Sequence, residues 1–128
     1  MGGVQEPAGR TELSAANIRY LIAMKQNQRP DGIIRGADVA RALDRTRPSV
    51  HKMVESLAAQ GLVSKSCPYG AIRFTPAGET AANDCAARYA AAEEKLREAF
   101  PALGDCEELV CSLLAAMPEE SGTIGEAI

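Results

Sequence analysis

Four residues, Asp44 to Arg47, are all that separate Leu43 from Pro48, and each side carries an apolar helical stripe. Before the gap, "GADVARALD" sets Val39 and Leu43 one helical turn apart. After it, Val50, Met53, Val54 and Leu57 recur at i, i+3, i+4 and i+7. Thr46 is suited to cap the later helix, Pro48 is tolerated in its first turn, and Gly61 is a natural stop after Gln60. Helices joined by so short a connection cross steeply, which predicts a helix-turn-helix.

The flanking segments extend that unit. "LSAANIRYLIAMKQ" predicts an earlier helix: Ser14 caps it, Leu13 and Ile18 stand where a hydrophobic staple would, and Ile18, Leu21 and Ile22 share a face. "QNQRPDGII" interrupts with Pro30 and Gly32, leaving a loop and a short strand through Ile33 and Ile34. Later, "LVSKS" and "AIRFT" flank "CPYG", whose Pro68 and Gly70 fit positions i+1 and i+3 of a turn. Ile72 and Phe74 alternate with Arg73 as in a half-buried strand. Three helices and then a β-hairpin is the element order of a winged helix, here over residues 12–75.

Thr75 and Pro76 open a long fourth helix predicted to reach about Phe100. Along it Ala82, Cys85, Tyr89, Ala92, Leu96 and Ala99 form a narrow seam of mostly small residues. "PALGD" ends it, and "CEELVCSLLAAM" predicts a fifth helix. The fold expected is therefore mainly α: a winged helix-turn-helix (three helices plus a β-hairpin wing) followed by two C-terminal dimerisation helices over 76–117. A disordered tail (1–11) and a flexible one (118–128) bracket them. The homodimer expectation follows from core size. Apolar residues are 46% of the chain, but much of that is alanine, with three Tyr, two Phe and no Trp. A second copy on the seam, together with helices 1 and 5, would complete so thin a core. Simple intramolecular packing of the seam is the alternative.

Charge is unevenly distributed. Residues 29–75 hold eight Arg/Lys against four acids, a net of +4; the rest holds six against thirteen, a net of −7. If Val50, Met53, Val54 and Leu57 face the core, then Arg47, Ser49, His51, Lys52 and Glu55 face solvent. The helix N-terminus adds its positive end and free N–H groups, a combination suited to phosphate. The expected partner is double-stranded DNA, with the tip of the third helix in the major groove and Lys65, Tyr69 and Arg73 of the wing along the backbone or minor groove. The alternative is a winged-helix protein-interaction module that binds no DNA. An enzyme is not expected: with one histidine and no Gly-rich phosphate loop, acid–base chemistry lacks its groups.

No apolar run approaches 18 residues, so no membrane span is expected, and "MGGVQEPAGR" lacks the apolar region of a secretory signal. The reading is a cytoplasmic protein. Its four cysteines (Cys67, Cys85, Cys106, Cys111) show no CxxC pair and read as reduced thiols packed as small apolar residues.

The segment "ADVARALDRTRPSVHKMVESLAAQGLV…FTPAGETAA" resembles the winged-helix part of the iron- and manganese-dependent repressors related to the diphtheria toxin repressor. That family's "IAEAL", "PSSV" or "PTV", "GL(V/I)" and "LT(P/S)xG" motifs correspond to Val39–Leu43, Pro48–Val50, Gly61–Val63 and Phe74–Gly78. The likeness spans roughly residues 12–117 and implies a homodimeric transcriptional repressor. By position it makes Thr46, Arg47, Pro48, Ser49, His51 and Lys52 the DNA-reading tip. The family's metal ligands do not carry over: Ser14, Asn17 and Tyr89 occupy three ligand positions, and only Glu93 matches one. No cofactor is assigned on this basis; degenerate metal sensing is the expectation. The candidates for a different thiol–carboxylate site for Mn, Fe or Zn are Glu93, Glu107, Glu108 and Cys111. Against them stands the reading of core thiols and a solvated acidic first turn.

Overall fold

The computed structural model of the protein describes residues 13–65 and 71–117; the two predicted tails and the turn holding Cys67 and Tyr69 lie outside them. Helix α1 (Ala15–Gln26) starts at Ser14, whose Oγ accepts the Asn17 N–H at 3.0 Å while Asn17 Oδ1 accepts the Ser14 N–H at 3.1 Å. This reciprocal capping box satisfies two donors that the helix cannot. The Asn17 amide also reaches Met53, its Nδ2 lying 3.2 Å from Met53 Sδ.

Helices α2 (Gly36–Leu43) and α3 (Arg47–Ala59) form the predicted helix-turn-helix. Asp44 reverses the chain in the left-handed region at φ 56°, a conformation Asp tolerates better than most residues. The Arg45 N–H then returns to the Ala40 carbonyl at 2.9 Å, closing the end of α2. Val39, Leu43, Val50, Val54 and Leu57 are buried between the two helices and α1, with Met53 half-buried at the edge. Gly61 ends α3 at φ 80°.

The wing differs from the expected two-stranded hairpin. Strands β1 (Ile34–Arg35), β2 (Val63–Ser64) and β3 (Ala71–Phe74) make one antiparallel sheet in the order β1-β3-β2. Ile34 pairs with Ile72, and Val63 with Phe74. The long loop before β1 supplies the reason. Asp31 accepts the Ile33 N–H through Oδ1 at 3.0 Å, and the Arg29 N–H donates to the Ile33 carbonyl at 2.9 Å. That compact turn aims Ile34 at the sheet, where its side chain is fully buried.

Helix α4 (Pro76–Ala99) is joined to the winged unit through the Thr75 hydroxyl and close backbone contacts. Thr75 accepts the Gly78 N–H on its Oγ1 at 3.0 Å, donates that hydroxyl to the Gly61 carbonyl at 2.7 Å, and bonds Leu62 O through its N–H at 3.0 Å. A Cβ on Gly78 would stand 1.7 Å from that same Leu62 oxygen. Helix α5 (Glu107–Ala116) then folds back on α1 and α4, burying Val110, Cys111 and Leu114. The α4 seam packs in part within the chain. Ala82 and Cys85 are buried within the chain, and Tyr89, Ala92 and Leu96 pack against the same core; of the seam, only Ala99 is exposed. Tyr89, Ala92 and Leu96 are half-buried, and α1 and α5 pack against α4. No described helix is long and apolar enough to cross a membrane.

The junction generates two expected outcomes. Gly78→Ala forces the first turn of α4 off Leu62 and destabilises the protein by about 3 kcal/mol, read as a lower urea midpoint at unchanged slope. Glu79 beside Lys25 has its carboxyl held below the ordinary value of 4.5, chiefly by the hydrogen bond from the ammonium. A lowered folded-state pKa adds stability above 4.5 that is lost as pH falls through the folded value. Glu79→Gln therefore flattens the acid limb of stability against pH and leaves the shape of the curve above pH 6 unchanged.

Candidate nucleic-acid interface

The geometry of α3 decides which side chains are offered outward. With Val50, Val54 and Leu57 buried, residues Thr46, Arg47, Pro48, Ser49, His51 and Lys52 are all exposed on its N-terminal turns. The six predicted tip residues thus lie together. Thr46 is the N-cap: its Oγ1 accepts the Ser49 N–H at 3.1 Å and donates to Ser49 Oγ at 2.9 Å. The two hydroxyls are held by each other, and Ser49 Oγ keeps its own proton for an outside acceptor. No acidic residue lies in the first turn of α3, so its positive end is not neutralised from within the helix.

Beside this tip runs an open groove of about 880 Å³ between α3 and the sheet. Its floor is apolar, from Val50, Val54, Ala71 and Ile72, with Gly36 and Pro48 at one end. Its rim carries Arg47, His51, Lys52 and Lys65. Pairing of β1 with β3 brings Gly36 to this wall, a neighbour that no local sequence signal could place there.

The wing cations behave differently from the helix cations. Lys65 is bonded to Glu55, and His51 Nε2 lies 3.3 Å from the same Glu55 Oε2. The Lys65 hydrogen bond and charge, with a smaller contribution from His51, hold the Glu55 carboxyl below its ordinary value of 4.5. Arg73 reaches away from the groove and donates from Nη1 to the Asp31 carbonyl at 3.0 Å, over Gly32. It braces the loop before β1. By contrast, Arg47 and Lys52 enter no ion pair among the described residues. Glu55 is the residue that sequence reasoning missed: it sits on the solvent face as expected, but its partner Lys65 lies just past β2, ten residues on.

The metal candidates are not gathered. Glu93 pairs with Arg97 at 3.3 Å and Glu107 with Arg19 at 3.2 Å, while Glu108 points to solvent. Cys111 is buried, and burial followed by the Glu107 charge pushes its thiol pKa up, away from the thiolate a metal needs. Cys85 is likewise pushed up by burial, to about 11. Among the described residues no three His, Cys, Asp or Glu side chains stand close enough to hold one ion. Ser14 and Asn17, at two family ligand positions, are taken up by the α1 capping box. Tyr89, at a third, has its hydroxyl pKa raised to about 12 by burial and by neighbouring Glu93.

No protein-family model and no curated protein sequence matches this chain. Among solved structures the fold is similar to that in the crystal structure of the S. aureus MepR–DNA complex. The identity is 17%, over 98% of this chain and 79% of that one, with a TM-score of 0.47.

The Glu55 clamp makes a direct prediction. Glu55→Gln releases Lys65 and His51, so retention on an immobilised polyanion such as heparin moves to higher salt, and affinity at low salt rises roughly threefold.

Proposed function

We propose that the protein is a sequence-specific DNA-binding transcriptional regulator acting as a homodimer in the cytoplasm. The observation that carries this reading is the exposed N-terminal half of α3, where Arg47 and Lys52 have no ion-pair partner among the described residues and stand beside the positive end of the helix and the groove. In it, α3 enters the major groove and the Thr46–Ser49 pair meets base edges. Arg47 and Lys52 take phosphates, and the rim of the groove follows one backbone strand. Lys65 exchanges Glu55 for phosphate on binding. Arg73 serves by fixing the loop and β1, a supporting role instead of the direct contact expected of it. Tyr69 belongs to the wing tip in the same proposal. Two copies present two α3 helices to half-sites about one helical turn apart.

The likeness to the iron- and manganese-dependent repressors is part of this proposal and makes repression the expected direction of control. Metal control is the part that has decayed: the side chains at its ligand positions are spent on capping and packing. No enzymatic role is proposed.

Fluorescence anisotropy of a duplex from the gene's own upstream region tests the reading, titrated first in chelator and then with excess Mn²⁺. The expected result is tight binding indifferent to Mn²⁺, falling steeply with salt. Arg47→Ala and Lys52→Ala each weaken binding across sequences and reduce the salt slope by about one, with circular dichroism unchanged. Equal affinity in both variants would remove α3 from the interface. Binding that requires Mn²⁺ would return attention to Glu93, Glu107, Glu108 and Cys111. Absence of duplex binding at low salt would leave the module as a protein-interaction domain.

A further inference from the structure

His51 stands at the groove rim, with Arg47 one turn before it and Glu55 one turn after it on α3. Its side chain is 68% exposed, and its Nε2 faces Glu55 Oε2 at 3.3 Å. Glu55 is itself held: Lys65 bonds the same oxygen and, by that hydrogen bond and its charge, keeps the carboxyl ionised. At such a distance a ring-nitrogen lone pair pointed at a carboxylate oxygen is repelled, whereas an N–H is attracted. The proton of the neutral imidazole therefore sits on Nε2, and Nδ1 keeps a lone pair. Among the described residues no hydrogen bond engages Nδ1. An exposed acceptor is left on a helix tip otherwise furnished with hydroxyls and cations.

We infer that His51 reads a base in the major groove, its Nδ1 accepting from the exocyclic amino group of adenine or cytosine. Glu55 is the positioning residue that fixes the ring's tautomer. The base edges supply the discrimination. Adenine N6 and cytosine N4 offer an N–H there, whereas guanine O6 and N7 and thymine O4 offer only lone pairs, which Nδ1 meets unfavourably. A phosphate oxygen is also an acceptor, so a neutral ring with its lone pair outward gains nothing from the backbone. Arg47 and Lys52, on the same rim, meet that need. The inference rests on the duplex reading proposed above and adds to it the chemistry of one base position. It also carries a sign with pH. Imidazole becomes imidazolium between about pH 8 and pH 5. The charges around this ring are Arg47, Lys52 and Glu55 on α3 and Lys65 just past β2; Ala71 and Ile72 on the sheet wall carry none. With both nitrogens protonated, Nδ1 turns from acceptor to donor, and the favoured base changes to guanine or thymine.

Selection from a pool of randomised duplexes by the full chain, at about pH 8 and again at about pH 5.5, reads it. At the higher pH the wild type enriches one position in adenine or cytosine that His51→Ala leaves random. The preference there is about fivefold, the worth of one hydrogen bond. The other selected positions keep their bases in that variant, and circular dichroism stays native. Glu55→Ala blurs the same position and no other. At the lower pH the wild-type preference at that position moves to guanine or thymine, an arm that needs no substitution. A His51→Ala variant that selects the wild-type sequence unchanged overturns the inference. So does a position that keeps its base at both pH values. Tighter binding at the lower pH spread evenly over all sequences overturns it too, by making His51 a phosphate contact. In each of these cases enrichment leaves the duplex reading standing. A pool from which the wild type enriches nothing at either pH removes that reading, and this inference with it.

Discussion

The backbone of α4 begins where no side chain fits. Gly78 presses against the Leu62 carbonyl closely enough to exclude even a methyl group, and the same carbonyl accepts the Thr75 N–H. Thr75 in turn caps α4 and binds the carbonyl of Gly61, the residue that stops α3. One joint therefore ends the exposed helix, starts the long helix and sets β2 and β3 between them. The orientation of α3 relative to the α1–α4–α5 body is inherited from these few backbone contacts. The packed side chains around it, chiefly Leu57, Leu62 and Ala82, supply apolar burial, but they do not by themselves choose an angle.

Around that frame, charge is distributed with a division of labour. Two cations near the sheet are spent inside the protein, Lys65 on Glu55 and Arg73 on the Asp31 carbonyl, while Arg35 on β1 is exposed. They hold the wing and its preceding loop in place. Those on the first turns of α3 are left to solvent. A surface with every cation paired would attract no polyanion, and one with none paired would let the short strands wander. The chain carries its positive excess where the backbone is held by helix geometry, and neutralises it where the sheet is thin.

The residues that announced themselves in the sequence were those whose signals are local. Ser14, Thr46 and Thr75 each cap the helix expected of them, because a cap and its amide partners lie within three residues. The stripe from Val50 to Leu57 was legible for the same reason, and it fixed which side chains of α3 could be outward. What stayed hidden depends on partners far along the chain. Ile34 joins the sheet only because Ile72 is there to receive it, and Lys65 is diverted by Glu55 on another element. The periodicity of the α4 seam says only that one face is apolar. It says nothing of what covers that face, and here α1 and α5 do so. Glu107 and Glu93 looked like metal ligands while Arg19 and Arg97, their actual partners, could not be placed beside them.

The sheet also constrains how copies of this protein can meet. Its outer strands, β1 and β2, are two residues each, on either side of a four-residue centre. Such short edges expose almost no unpaired backbone, so they offer another chain little to zip onto. Among the described residues, ribbon-like growth from strand to strand, the usual hazard of a sheet near the surface, finds only these short edges as a template.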